Sequence, residues 1–186
     1  MKLAKYLNLI FVTAILTSCG GGGGGGDTVA GIGGTGISSG TVTGFGSVFV
    51  NGVEFETSGT VFDIDDSGTG SQDDLALGMI VTVNGIVNDD GVTGSATSIS
   101  FDDQLQGPVS NLSLPDLDGE NRTFSILGTT VHISAIDTVF DVTGLLSGTP
   151  FGFDQIANGN NVEVSGFFNT AGGLVATRVE LKATNF

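Results

Sequence analysis

The chain has 186 residues, of which 20 are acidic, five are basic, 32 are glycine and one is cysteine, and its formal net charge is −15. A negative field of this size repels nucleic acid and anionic lipid surfaces, so functions that depend on a basic patch are excluded. A single cysteine excludes an internal disulfide. Apolar residues nevertheless form 39% of the sequence, which is too many for a disordered acidic chain and predicts a folded body.

The first 18 residues predict a secretory signal. Lys2 and Lys5 supply a positive start, and the mostly apolar run Leu7–Leu16 follows them. That run is too short for a transmembrane helix, which needs about 20 apolar residues. We therefore expect residues 1–18 to be removed on export. A retained membrane anchor and an ordinary secreted protein are the alternatives.

The apolar run ends with Leu16, Thr17, Ser18 and Cys19. These residues resemble the lipobox of bacterial lipoproteins, position by position. The resemblance implies transfer of diacylglycerol to the Cys19 thiol, cleavage before Cys19 and acylation of the new amino terminus. Because Gly20 follows, and not Asp, it also implies sorting to the outer membrane. The expected location is the cell envelope, with the protein lipid-anchored and facing the periplasm or the surface.

Residues 19–37 predict a flexible tether behind the lipidated cysteine. Seven consecutive glycines, Gly20–Gly26, open this segment, and Gly, Ser and Thr stay frequent up to about Ser38. Glycine brings no side chain to a core and loses much conformational entropy when it is ordered. A coil of this length spans on the order of 20 to 25 Å, which lifts a folded domain clear of the lipid headgroups.

The residues after position 18 form the predicted folded body. They carry all 20 carboxylates but only three bases, Arg122, Arg178 and Lys182, so their formal charge is −17. Val, Ile, Leu and Phe recur with strand-like spacing, and no segment keeps a helical period over several turns. The sequence thus predicts an all-β body of short strands and tight turns.

An internal repeat divides this body into residues 38–103 and residues 104–186. The run Leu75–Gly85 of the first copy matches Ile156–Gly166 of the second. Shorter matches support the same register: Thr60–Asp63 with Thr138–Asp141, and Ala96–Ile99 with Ala176–Val179. The sequence therefore predicts two copies of one small β-module.

A hairpin is the clearest local prediction in the first copy. Asn51 and Gly52 separate two alternating apolar runs, which favours a type I′ turn. In the register that this turn sets, two pairs of side chains share the core face: Val48 with Phe55 and Val50 with Val53. Five or so short strands with closely spaced turns favour a small closed barrel, similar to the oligomer-binding (OB-type) barrels, since closure removes exposed sheet edges.

Three segments carry a resemblance to a known family: Gly40–Phe55, Leu77–Met79 and Leu105–Val109. They look like exported bacterial proteins that bear the domain of unknown function 5666. The resemblance covers essentially the whole mature chain and is clearest in the first copy. It implies a β-barrel-like repeat and an envelope location, and no activity. The second copy departs from the pattern, because Asn160 stands where the first copy has Met79.

The acidic segment 63–74 is the strongest candidate for a metal site. Oxygen-bearing side chains stand at positions one, three, five, nine and twelve of a calcium loop: Asp63, Asp65, Ser67, Ser71 and Asp74. Hard oxygen ligands at this spacing can wrap one Ca²⁺. Position twelve holds Asp where a bidentate Glu is usual, and no helix flanks the loop. A solvated acidic turn between strands is therefore the alternative.

A catalytic set cannot be assembled from the sequence. His132 is the only histidine, and one histidine with no spare cysteine cannot complete a zinc site of nitrogen and sulfur ligands. The carboxylate pairs Asp65 with Asp66 and Asp102 with Asp103 are adjacent, so strand alternation sends their side chains to opposite faces. We therefore expect no catalytic residue and no cofactor, apart from the candidate Ca²⁺ site.

These observations favour a non-enzymatic lipoprotein of the cell envelope whose two β-modules present a binding or scaffolding surface. Besides the membrane, the expected partner is an envelope protein or a glycan, and Phe45 and Phe49 are the candidate binding surface. The alternative is a calcium-binding envelope module that acts through residues 63–74. The charge of −17 and export exclude nucleic acid as a partner.

Overall fold

A computed structural model describes residues 36–65, 69–142 and 150–183. The predicted signal, Cys19 and the predicted tether up to residue 35 lie outside the described residues. The described part is all-β, as the sequence predicts, and contains two six-stranded sheets and one short 3₁₀ turn, Gln72–Asp74. No helix within it is long and apolar enough to cross a membrane.

The first sheet, here called repeat one, is formed by six strands: β1 Ile37–Gly44, β2 Val48–Val50, β3 Val53–Glu56, β4 Val61–Ile64, β5 Ile80–Val87 and β6 Thr93–Phe101. Their order across the sheet is β3-β2-β1-β5-β6-β4, and β3 also pairs in parallel with β6. Five of the strands, β1, β2, β3, β5 and β6, therefore each pair with at least two others. Strand β4 runs parallel to β6 at the edge.

The predicted Asn51–Gly52 turn is present between β2 and β3. Asn51 (φ 53°) and Gly52 (φ 79°) both adopt the left-handed backbone that a type I′ turn requires. The predicted register is confirmed by two strand pairs, Val48 with Phe55 and Val50 with Val53. The Asn51 amide also donates a hydrogen bond to the Ser39 carbonyl (2.8 Å), which ties the turn to β1.

The second sheet, here called repeat two, is formed by the next six strands: β7 Leu105–Pro108, β8 Asn121–Ile126, β9 Thr129–Ser134, β10 Val139–Asp141, β11 Asn161–Phe168 and β12 Leu174–Leu181. The strand order is β7-β11-β12-β9-β8, with β10 paired to β12. An isolated bridge between Ser110 and Ser125 joins the chain that follows β7 to β8.

The strands of repeat two correspond one for one to those of repeat one. The third and the fourth strand of each repeat run parallel to the sixth. A bulge lies next to Gly85 in repeat one and next to Gly166 in repeat two, which confirms the predicted match of these glycines. A Cβ at either glycine would lie 2.2 Å from a carbonyl oxygen of the facing strand, so only glycine fits there.

A threonine hydroxyl fixes the chain before the fourth strand in both repeats. Thr60 Oγ1 donates a hydrogen bond to the Ala96 carbonyl (2.8 Å), and Thr138 Oγ1 donates one to the Ala176 carbonyl (2.9 Å). The predicted match of Thr60 with Thr138 therefore pairs residues that make the same contact.

Each repeat has its own hydrophobic core. The largest fully buried side chains of repeat one are Phe55, Phe101 and Ile99, and those of repeat two are Phe124, Ile126 and Leu174. Burying one such side chain contributes about 1.5–3 kcal/mol. The two cores are separate clusters, so contacts between the repeats depend on other groups.

Candidate functional site

Within the described part of the chain, Asp65 and Asp74 of the predicted calcium loop line one cavity, but the carboxylates of the loop do not form a metal-binding group. Asp63 is half-buried on β4, Asp65 follows that strand with a φ of 52°, and Ser67 lies outside the described residues. The Asp74 carboxylate accepts hydrogen bonds from the backbone N–H (2.8 Å) and the hydroxyl (3.0 Å) of Ser71. In residues 36–65, 69–142 and 150–183, no group of three or more His, Cys, Asp or Glu is arranged to hold a metal ion. Calcium binding stays a prediction, and a melting temperature that does not change when Ca²⁺ is added would count against it.

The predicted aromatic surface lies at the turn between β1 and β2. Phe45 is 42% exposed in that turn. Phe49 is half-buried on β2, and its ring lies over Gly44, where an added Cβ would come within 3.3 Å of the ring. Phe45 is therefore accessible to a partner, whereas Phe49 is partly used in packing against its own sheet.

A groove of about 420 Å³ lies on repeat two. Its walls come from β8, β9 and β12, from the chain between β7 and β8, and from the turn after β9. Strand pairing brings its polar side chains together, because Thr123 on β8 pairs with His132 on β9, and His132 pairs with Val175 on β12. His132 and Val175 are both exposed, so the groove offers an imidazole beside an apolar side chain.

Hydrogen bonds fix one wall of this groove. The Asp116 carboxylate accepts bonds from the backbone N–H of Glu120 (2.9 Å) and from the backbone (3.2 Å) and side-chain (2.7 Å) N–H groups of Asn121. The bonds from Asn121 hold the pKa of Asp116 below its ordinary value, so this carboxylate is ionised at neutral pH. The wall between β7 and β8 is thus a shaped turn that carries a fixed negative charge.

Arg122 joins this wall to a second loop. Its Nε donates to the Ser113 carbonyl (3.1 Å) and its Nη1 to the Phe153 carbonyl (2.8 Å). The guanidinium carbon also lies 5.7 Å from the centre of the Phe153 ring, within the range of a cation–π contact. Arg122 therefore organises the groove, and much of its hydrogen-bonding capacity is already used within the protein.

A second concentration of polar groups lies on the outward face of β11 and β12. Arg178 is 3% exposed and forms ion pairs with Asp141 and, at 3.3 Å, with Glu180. Lys182 forms ion pairs with Glu163 at 2.8 Å and with Glu180 at 3.1 Å. Each cation thus contacts two carboxylates, and Glu180 connects the two halves of the cluster.

Burial changes the proton affinity of this cluster. Burial raises the pKa of Glu163, and the hydrogen bond from Lys182 opposes that change without reversing it. For Lys182, burial disfavours the charged form, but the hydrogen bonds to Glu163 and Glu180 and the negative charges of these carboxylates together outweigh burial and raise the pKa of the ammonium group. Burial, followed by the charge of Asp65, raises the pKa of Asp103 nearby.

The cluster is buried because repeat one lies over it. Thr177 Oγ1 donates to the Gly78 carbonyl (2.6 Å), and Arg178 Nη1 donates to the Leu77 carbonyl (3.1 Å). A Cβ at Gly78 would lie 2.7 Å from the Thr177 carbonyl oxygen, so the close approach requires glycine. We call Leu75–Gly78 the docking turn and the outward face of β11 and β12 the docking face. A cavity of about 430 Å³ beside the contact is lined by carboxylates of both repeats: Asp65, Asp73, Asp74, Glu163 and Glu180.

The short connection between the repeats is also fixed to repeat two. Gln104 Oε1 accepts a hydrogen bond from the Gly166 N–H (2.8 Å), and the Gln104 N–H donates to the Val164 carbonyl (3.2 Å). The connection therefore continues onto β11 and supports the docked arrangement.

Sequence reasoning found neither the groove nor the docking face. One signal was available, because all three bases that follow residue 18 lie in repeat two. Residues of the docking face stand where repeat one has small polar side chains: Glu163 for Thr82, Arg178 for Ser98 and Glu180 for Ser100. Charged residues thus replace small polar residues at matched positions, which indicates that this face of repeat two has a different environment from the matched face of repeat one.

The fold and these surfaces define an all-β protein of two tandem, equivalent modules that contact each other through a charged, buried face. The family described as "Domain of unknown function (DUF5666)" matches the chain twice, over residues 37–100 and 106–180. The chain therefore belongs to the DUF5666 family, as the sequence resemblance indicated. The comparison with curated proteins finds no match.

Proposed function

We propose that the protein is a non-enzymatic, lipid-anchored component of the cell envelope that binds a glycan through the groove of repeat two. The observation that carries this proposal is the groove itself, in which fixed polar groups surround an accessible imidazole and apolar side chains. Binding sites commonly combine a concave surface with a few well-placed polar groups. The single histidine and single cysteine of the chain favour binding over catalysis.

In this proposal each repeat is a small barrel of the OB type. The support is a cycle of pairings in repeat one: β1 with β2, β2 with β3, β3 with β6, β6 with β5 and β5 with β1. Repeat two has the matching pairs, with the Ser110–Ser125 bridge between the segments of β7 and β8. OB-type barrels bind oligosaccharides on the second and third strands and the loop between the first and second. The groove of repeat two lies at the corresponding position.

A neutral oligosaccharide suits this groove better than an acidic polymer does. The body of the protein carries −17 and Asp116 adds a fixed negative charge to the wall, so polyanions are repelled. His132 and Thr123 offer hydrogen-bond donors and acceptors at one height on neighbouring strands, and Asn121 lies two residues from Thr123 on β8. Val175 offers an apolar surface against which the C–H face of a sugar ring can pack.

The anchor belongs to the same proposal. Its support is the lipobox-like sequence that ends in Cys19 and the run of glycines behind it. A protein held by two or three acyl chains stays on the membrane, and a flexible tether lets the two repeats reach a polymer beside it.

The binding test uses a panel of neutral oligosaccharides and a polyuronate as the acidic control, measured by titration calorimetry. We expect a neutral oligosaccharide to bind, the polyuronate not to bind, and His132→Ala to weaken binding about tenfold, which corresponds to about 1.4 kcal/mol. Phe45→Ala is the matched control, because it removes an exposed side chain of repeat one far from the groove in sequence. If Phe45→Ala weakens binding and His132→Ala does not, the aromatic surface predicted from the sequence is the site.

The anchor test compares the native chain with Cys19→Ser in cell fractionation. We expect the native protein in the membrane fraction with a lipid-sized mass increase on its amino-terminal peptide. Cys19→Ser should lose that mass increase. An unmodified Cys19 in the mature protein would overturn the anchor and leave the groove proposal intact.

A further inference from the structure

The contact between the repeats uses one element from each of them. Repeat one contributes the docking turn, and repeat two contributes the docking face. Because the two repeats correspond strand for strand, each also carries the counterpart of the element that the other uses. Repeat two therefore has a second turn of the docking kind, and repeat one has a second face. Within residues 36–65, 69–142 and 150–183, neither forms a hydrogen bond between the repeats.

The turn of repeat two, Ile156–Gly159, has the backbone geometry of the docking turn, and its Asn158 side chain accepts a hydrogen bond from the Leu112 N–H (2.9 Å). Gly159 has a φ of 89°, as against 86° at Gly78. The Gly159 N–H donates to the Val109 carbonyl (2.8 Å), as the Gly78 N–H donates to the Val42 carbonyl (3.0 Å). Gly159 is exposed, and no atom lies within 4 Å of the position of an added Cβ. The geometry that docks in repeat one is thus presented to solvent in repeat two.

The face of repeat one that corresponds to the docking face is the outward side of β5 and β6. Thr97 matches Thr177, and its hydroxyl donates to the Asn84 carbonyl (2.9 Å), as the Thr177 hydroxyl donates to the Ser165 carbonyl (3.1 Å). Thr97 is exposed, and Ser98 beside it is half-buried. The hydroxyl that reaches the docking turn in repeat two therefore has an accessible counterpart in repeat one.

We propose that a second copy of this chain docks the turn Ile156–Gly159 of its repeat two onto the outward face of β5 and β6 of repeat one. The argument is continuity with the contact inside one chain, whose turn and face have matching, accessible counterparts. Such a contact joins two different surfaces, so its repetition adds copies head to tail and does not close into a symmetric dimer. Stacked repeat proteins extend in the same way, each module contacting its neighbours.

Charge sets the conditions under which this association occurs. The residues that meet are uncharged on both sides, namely Ala157, Asn158 and Gly159 on the turn and Thr97 and Ser98 on the face. The whole bodies repel each other, since each carries −17. Salt screens repulsion between exposed charges over about 10 Å at 0.1 M, so association strengthens as the ionic strength rises.

Cysteine cross-linking tests the proposed contact on the full chain in detergent. The background is Cys19→Ser, which leaves no other cysteine. A mixture of Asn158→Cys and Ser98→Cys chains should form a disulfide-linked dimer, whereas either variant alone should not. The double variant should give a ladder of dimers, trimers and higher oligomers, because only a head-to-tail contact can continue.

Sedimentation of the native chain provides a test that needs no cysteine. The average sedimentation coefficient should rise with protein concentration and with salt. Ala157→Glu should abolish the rise, and Ala171→Glu, which adds the same charge at an exposed position of another turn, should preserve it. The proposal would be overturned if the double variant formed dimers but no higher oligomers, or if either single variant formed a cross-linked dimer alone. It would also be overturned if the sedimentation coefficient did not change with protein concentration.

Discussion

Repeat one and repeat two share their strand order, the bulges next to Gly85 and Gly166, and the geometry of the turns that end at Gly78 and Gly159, but they differ on the outward face of their last two strands. The outward side of β5 and β6 carries the half-buried Thr82, Ser98 and Ser100. The docking face carries the buried Glu163, Arg178 and Glu180 at the matched positions. The same backbone thus supports a small polar face in repeat one, and an ionic face in repeat two where the neighbouring repeat lies on it.

The comparison shows what buried charges contribute to such a contact. Removing two opposite charges from water costs several kcal/mol, and their attraction repays this only when every charge has partners. Arg178 and Lys182 have such partners in Asp141, Glu163 and Glu180. We therefore expect the cluster to determine how the repeats fit together more than it adds to their stability.

The largest effect should come from removing the central cation. Arg178→Met keeps much of the side-chain volume but removes the cation that pairs with the half-buried Asp141 and leaves the buried Glu180 with Lys182 alone. We therefore expect a loss of about 3–5 kcal/mol in the free energy of unfolding. Urea unfolding of the full chain measures this loss. The matched change in repeat one, Ser98→Ala, should cost less than about 1 kcal/mol. Equal losses of unfolding free energy in the two variants would show that the docking face contributes no more to stability than the matched face of repeat one.

Replacing each of the two matched turn glycines with alanine separates the stability lost through turn strain from the stability lost through the contact between the repeats. Both Gly78→Ala and Gly159→Ala force a side chain into a left-handed backbone, at a cost of about 1–2 kcal/mol. Gly78→Ala also drives a Cβ against the Thr177 carbonyl, which adds about 1–3 kcal/mol. Thermal unfolding of the two variants gives the difference. A larger loss at Gly159 would contradict the docked arrangement.

The matched threonines test the likeness of the repeats. Thr60→Val and Thr138→Val each remove one hydrogen bond to a backbone carbonyl and keep the side-chain shape, so each should cost at least about 1 kcal/mol. Thr138→Val also removes the bond that this hydroxyl accepts from the Ser134 N–H (2.9 Å). Thr138 should show the larger loss, because it is 7% exposed and leaves a buried carbonyl unpaired, whereas Thr60 is only half-buried. Denaturation midpoints compare the two. An effect at one position alone would weaken the equivalence of the repeats.

The smallest expected effect concerns pH. The folded chain holds the Glu163 proton more tightly than the unfolded chain, since burial raises the pKa of this carboxyl. Its contribution is therefore most favourable at low pH and declines as the pH rises from about 4.5, the ordinary value for Glu, through the folded value. Glu163→Gln removes this dependence. Unfolding free energies at several pH values should fall less steeply toward neutral pH in Glu163→Gln than in the native chain, and identical slopes would contradict the assignment.

Much of the fold could be predicted because short-range rules act on it directly. The Asn51–Gly52 turn sets the register of β2 and β3, and strand alternation then assigns Val48 and Phe55 to the core. The repeat could be aligned because Gly85 and Gly166 occupy bulges that exclude every other residue. The residue type at these positions is determined by the local backbone conformation, so it can be recognised from the sequence alone.

The second copy departs from the first at Asn160, yet the structure shows why the turn persists. In repeat one the Ala76 N–H donates to Met79 Sδ (3.1 Å), and in repeat two the Ala157 N–H donates to Asn160 Oδ1 (2.8 Å). A thioether and an amide oxygen thus accept the same bond. The sequence shows the substitution but not the shared role, because that role depends on where the side chain folds back.

The candidate site could not be predicted because it depends on long-range arrangement. The groove combines Asn121, His132 and Val175, which belong to three strands and meet only through the strand register. The docking face has the same problem, because alternation shows which side of β12 holds Arg178 but not what covers that side. An outward charged residue in a strand is therefore interpreted as solvent-facing until its neighbour is known.

The docking turn contributes backbone carbonyls, and this has an evolutionary consequence. Leu77 accepts a bond from Arg178 through its carbonyl, while its side chain remains 44% exposed. Every residue type has that carbonyl, so position 77 is free to change after a duplication, whereas Gly78, Thr177 and Arg178 are constrained. In related chains we therefore expect position 77 of the docking turn to vary more than Gly78 of the turn or Thr177 and Arg178 of the docking face. Two modules of this kind can thus keep their mutual arrangement while the side chain at position 77 changes.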